Sequence, residues 1–239
     1  MDAHGSLHAV CEGSWTFYET AVFGDLDILY ARKDPVPEAE ASGAYGIQLE
    51  TSENAGDGTG YERFDSVLIP GSDQLLPREA FALECRAISS RNNPNSETYF
   101  LAKEGPISSA SADTLQLGQW RSGQADLRLA TETQGYAVVN GPVLDPGKWY
   151  HLAATYDSQA EGDNLILYVN GINVGSVRAE GLVRADRGPL YLGGSNDVRK
   201  PGSVTLDEVR IWDHARTESE IVSYMNQALA GAETGLAAW

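Results

Sequence analysis

The dipeptide Asn170-Gly171, set between the apolar runs Leu165–Val169 and Ile172–Val174, constrains this chain most. Both residues tolerate the positive φ of a type I′ turn, so the pattern predicts a tight β-hairpin. Upstream, Trp149–Tyr156 reads as a strand entered through Pro146-Gly147 and left at Asp157-Ser158. Further strands are expected at Tyr45–Leu49, Ser66–Pro70, Phe81–Ile88, Thr98–Lys103, Thr114–Arg121, Asp126–Thr131 and Tyr136–Asn140. Three more follow at Gly175–Ala179, Pro189–Gly193 and Val204–Trp212. Short strands at regular spacing, with Gly, Asn, Asp or Pro between most of them, predict an all-β antiparallel sandwich and not βαβ units.

One helix interrupts the pattern. Thr217-Glu218-Ser219-Glu220 fits a capping box, and Ile221, Tyr224, Met225 and Ala228 fall on one face behind it. The helix is expected to be short, to lie on the sandwich and to end near Gly231. Residues 34–60, rich in Gly and Pro, read as long loops around the Tyr45–Leu49 strand.

The 239 residues suit one large sandwich. Their net charge of −17 disfavours nucleic acid and anionic membrane surfaces, both of which need clustered Lys and Arg. No apolar run is long enough to insert in a membrane. Met1–Val10 shows neither the basic nor the apolar part of a signal peptide. Cys11 and Cys85 fit either a disulfide or two buried thiols, and no CxxC spacing points to zinc.

Gly147-Lys-Trp-Tyr-His-Leu-Ala-Ala-Thr-Tyr-Asp157 resembles the W-x-H-x-A-x-x-Y-D strand of laminin-G-like jelly rolls. Leu167-Tyr-Val-Asn-Gly171 is similar to the hairpin that follows it in that family. Leu206-Asp-Glu-Val-Arg-Ile-Trp-Asp213 and Thr217-x-x-Glu220-Ile221 resemble the last core strand and closing helical turn of laminin-G-like and pentraxin-like domains. The resemblance, strongest over residues 147–223, implies a concanavalin A-like jelly roll with one short C-terminal helix. Residues 61–235 would form the sandwich. Residues 1–60 would belong to the same domain, with Trp15–Glu19 as an opening strand. Gly235–Trp239 resembles the start of another opening strand, implying a following segment of a larger multidomain protein.

The function expected from this reading is non-catalytic recognition of a glycan or glycoprotein, extracellular or surface-displayed. The alternatives are a structural or protein-interaction domain, and a glycanase or polysaccharide lyase of the same fold. The pentraxin-like resemblance implies a Ca²⁺ site at Asn196, Asp197 and Asp207, because an acidic loop before the final strand supplies oxygen ligands there. Sugar binding uses exposed aromatics beside planar polar groups, which selects Trp120, Arg121 and Tyr99 as ligand-binding candidates. Trp149 and Trp212, inside the family-like strands, are expected in the core. His151 is expected to be packed and hydrogen-bonded, and His214 to be exposed. Catalysis is disfavoured: no G-x-S-x-G occurs, and in a regular strand Asp207 and Glu208 point to opposite faces.

Overall fold

The computed structural model describes residues 47–49, 51–52, 63–64, 66–69, 71, 75–89, 97–104, 113–185, 188–194 and 204–238. The first sheet contains β1 (Ile47–Leu49), β5 (Ala80–Ser89), β10 (Tyr150–Asp157), β11 (Leu165–Val169), β12 (Ile172–Val177), β14 (Val204–Trp212) and β15 (Leu236–Ala238). Its order is β1-β14-β5-β10-β11-β12, with β15 also on β14. The second sheet contains β4 (Val67–Ile69), β6 (Thr98–Glu104), β7 (Asp113–Gln119), β8 (Gln124–Ala130), β9 (Tyr136–Val143) and β13 (Leu190–Leu192), ordered β4-β13-β6-β7-β8-β9. A small ribbon joins β2 (Thr51–Ser52) to β3 (Arg63–Phe64), and every strand pair is antiparallel.

The sheets face each other through their alternating apolar residues. Phe81, Leu83, Cys85 and Ala87 of β5 and Leu152, Ala154 and Tyr156 of β10 meet Leu115 and Leu117 of β7 and Leu127 and Leu129 of β8 in one core. Burying each large side chain contributes roughly 1.5–3 kcal/mol. The hairpin forms as expected, with Asn170 at φ 52° and Gly171 at φ 78°. A Cβ on Gly171 would also press on Val222. The return arm begins at Ile172, directly after the two-residue turn, and runs through to Val177, so the strand expected from Gly175 is its continuation.

The helix α1 (Glu218–Tyr224) starts on the predicted capping box, Thr217 and Glu220 exchanging hydrogen bonds. It is capped at Met225 instead of running to Gly231, and Ala228 is exposed beyond it. Its buried residue, Ile221, packs on Ala153 and Tyr168, which places α1 on the outer face of the first sheet.

One expectation changes here. Trp149 is half-buried and outside the core. Trp212 is buried as expected, with Arg216 against its ring. Leu236–Ala238 pairs with β14, and Ala238 sits in the core of this sandwich. Ile47–Leu49 pairs with the other end of β14, so part of the N-terminal segment belongs to the first sheet. Cys11 and Trp15–Glu19 lie outside the described residues, while Cys85 is a buried free thiol whose pKa burial raises.

Candidate functional site

Each sheet has an outer face carrying polar side chains, and the two are used differently. On the first sheet, Glu84 lies fully buried among the outward positions of β5. His151 Nε2 approaches its Oε2 at 3.1 Å, and Arg216 Nη1 donates to its Oε1 at 3.0 Å. Arg210 Nη1 stands 3.9 Å away. Burial pushes the Glu84 pKa up, but the His151 hydrogen bond and the charges of His151, Arg216 and Arg210 outweigh it and hold it below the usual value. Glu84 is therefore ionised, and His151 Nε2 is the donor.

Arg210 also donates to Glu208 at 2.6 Å and to the Tyr224 carbonyl at 2.8 Å. Arg216 lies 3.9 Å from the Trp212 ring and reaches the Glu220 carbonyl. These groups fasten the helix to the sheet and satisfy carbonyls at its end. They are committed to structure, as expected for His151. His214 is partly exposed and pairs with Asp213 at 2.9 Å.

Of the implied Ca²⁺ ligands, Asp207 lies on β14, next to this face. Asn196 and Asp197 lie outside the described residues. Asp207 is half-buried, and its Oδ1 accepts from the Glu208 amide at 2.9 Å. Its pKa is raised, first by burial and then by the Glu208 charge, with Arg86 and Arg210 opposing. β14 bulges between Asp207 and Arg210, and Glu208 takes φ 50°. The Glu208 carboxylate is spent on Arg210. Asp207 thus offers a cation one oxygen, and no group of three His, Cys, Asp or Glu able to hold a metal occurs among the described residues. The described residues do not by themselves fit Ca²⁺. The bulge also corrects the regular alternation expected of Asp207 and Glu208.

The second sheet presents Trp120 at the turn between β7 and β8. The turn closes through Gly123 N to Trp120 O at 2.7 Å and Trp120 N to Gln124 O at 2.8 Å, with Gly123 at φ 81°. From below, Gln119 Nε2 donates to the Gly123 and Leu144 carbonyls, and Leu144 N donates to Gly123 O at 2.9 Å. Trp120 is half-exposed on this pinned turn, and Arg121 is exposed.

Arg128 of β8 reaches along the outer face to lie 4.1 Å from the Trp120 ring centroid, while the Arg121 guanidinium stands at 5.5 Å. Arg128 Nε donates to Asp126 Oδ1 at 2.7 Å. Asp126 is only 3% exposed, and its Oδ2 is buried without a hydrogen-bond partner among the described residues. Burial raises its pKa against the pull of Arg128, and Glu97 adds to the rise. In register, Asp126 stands between Gly118 of β7 and the exposed Asn140 of β9.

Of the three ligand-binding candidates, Trp120 and Arg121 fall on this site. Tyr99 pairs with Gly118 on the neighbouring strand, but it is 2% exposed and its hydroxyl donates to Glu97. Its ring offers no exposed face, and beside it β6 bulges and brings Thr98 O against Gly118, leaving no room there for a Cβ. Sequence reasoning missed Asp126, Arg128 and Asn140. The signal for the first two was present: Gln124, Asp126 and Arg128 alternate with Ala125, Leu127 and Leu129, which puts them on the outer face.

Solved structures share this architecture at low identity. A Bacteroides ovatus protein described as carbohydrate-binding matches with a TM-score of 0.56 and 19% identity over 80% of this chain and 50% of its own. The CBM40 of Ruminococcus gnavus IT-sialidase, bound to α2,3-sialyllactose, matches with a TM-score of 0.56 and 13% identity over 74% of this chain and 94% of its own. The binding domain of Paraclostridial mosquitocidal protein 1 matches with a TM-score of 0.52 and 15% identity, covering 76% of this chain and 47% of that domain's chain. At such identities the likeness is one of fold. No curated protein matches the sequence. A laminin-G family model matches residues 61–222, most of the chain, and this protein therefore belongs to the concanavalin A-like lectin/glucanases superfamily.

Proposed function

We propose that this chain is a non-catalytic carbohydrate-recognition module, displayed outside the cell, that binds a glycan or glycoprotein on the outer face of its second sheet. The observation that carries the reading is the half-exposed Trp120 linked through Arg128 to Asp126, whose buried Oδ2 has no donor among the described residues. A sugar ring offers an apolar face to an indole and hydroxyls to a carboxylate. Settling on Trp120, it takes the place of the exposed Arg121 guanidinium 5.5 Å from that ring, while Arg128 stays on Asp126. The carbohydrate-binding descriptions of two fold relatives lend support. Calcium dependence is a separate proposal carried by the pentraxin-like resemblance.

The test is a screen of immobilised glycans followed by calorimetric titration of the best ligand. Trp120→Ala is expected to weaken binding roughly tenfold or more at an unchanged melting temperature. Binding that survives the substitution would move the site elsewhere.

A further inference from the structure

Resting on that reading, we infer that the ligand is an uncharged sugar, selected by Asp126 through a hydroxyl donated to its buried oxygen. Asp126 Oδ2 is an acceptor in want of a donor, buried in the free protein, and the ligand's approach must uncover it. The nearest cation is already committed: Arg128 gives its Nε to Oδ1 at 2.7 Å and lies on the indole at 4.1 Å. A carboxylate or sulfate brought to the same place would face that oxygen's lone pairs with no donor of its own. Glu97, close enough to Asp126 to raise its pKa, adds a second negative charge to the surroundings.

Among the described residues Arg121 is the remaining cation at the site, and it is exposed, so salt and water screen it. Beyond the site the protein carries a net charge of −17, which repels acidic glycans as they approach. Asn140, opposite Asp126 in register and exposed, completes the arrangement. Its amide both donates and accepts, as a second sugar hydroxyl does. The floor carboxylate and rim amide together fit two hydroxyls of one neutral ring.

Calorimetric titration of the whole chain with two probe series tests this. One series is neutral, manno-, gluco- and galacto-tetraoses; the other is acidic, oligomannuronate, oligoguluronate, oligogalacturonate and a sulfated galacto-oligosaccharide. A neutral oligosaccharide is expected to bind at least tenfold tighter than every acidic one. Its Kd should change less than about twofold between 50 and 500 mM NaCl, where a charged contact would be screened. Asp126→Asn should weaken the neutral ligand at least tenfold. Acidic oligosaccharides that bind as tightly as neutral ones, or more tightly, and lose binding in Trp120→Ala would overturn the inference and leave the site standing. The uronate and sulfate arms then identify which anion is read. Absence of binding in both series, or binding indifferent to Trp120→Ala, sinks the site and the inference together.

Discussion

Two buried carboxylates sit on opposite faces of this sandwich with opposite electrostatics. Glu84 has more cationic neighbours than it needs, and its pKa is lowered. The stability this contributes is present above the ordinary glutamate value near 4.5 and is lost as pH falls through the lower folded value. Glu84→Gln would leave Arg216 and Arg210 buried with no carboxylate between them, and should cost about 3–5 kcal/mol in urea unfolding at pH 7. Asp126 is the reverse. Burial outweighs its one arginine, so its folded pKa is raised. An acid of this kind costs stability once pH exceeds the unfolded value and the group must ionise in place. Asp126→Asn is therefore expected to melt at the same temperature as the parent or higher at pH 7. A large drop would mean that the pair with Arg128 is structural first and undermine its assignment to a site. Stability lost at one residue and regained on its removal is the pattern of a position kept for binding.

At the scale of elements, the helix and the β7–β8 turn show how much a short segment depends on its ends. α1 has seven residues and one fully buried side chain, too few to be stable alone. Its capping box and the Arg210 and Arg216 bonds to its carbonyls do the rest. Thr217→Ala should cost about 1 kcal/mol, read as roughly fivefold faster hydrogen exchange of the α1 amides. Unchanged exchange would show that tertiary contacts alone hold the helix. The β7–β8 turn is rigid for another reason: Gln119, a strand residue facing inward, hydrogen-bonds two loop carbonyls from beneath. A rigid turn limits the entropy lost when Trp120 meets a ligand.

For the whole molecule, α1 closes part of the outer face of the first sheet, and the second sheet exposes Trp120 and Arg121 at its β7–β8 turn. Calcium can be tested on the same scale. If the loop holding Asn196 and Asp197 joins Asp207 in a cation site, calcium added after EDTA should raise the melting temperature, by roughly 2.7 kcal/mol of stabilisation at a hundredfold excess over Kd. An unmoved melting temperature removes calcium from the proposal and leaves the Trp120 site untouched. The sandwich, its hairpin and its capping box were legible in the sequence because each is a local property. Period-2 alternation, the positive φ of Asn170-Gly171 and the Thr217–Glu220 exchange involve residues a few positions apart. Alternation also tells which side a residue faces, and it would have placed Asp126 and Arg128 outside. It does not tell what crosses that face from other strands. Arg216 meets Glu84 across 132 residues of sequence, Tyr99 is buried, and Leu236–Ala238 pairs with β14. Pairing, register and burial decided those, because the cost of a lone buried charge or an unpaired strand edge is settled only when distant segments meet.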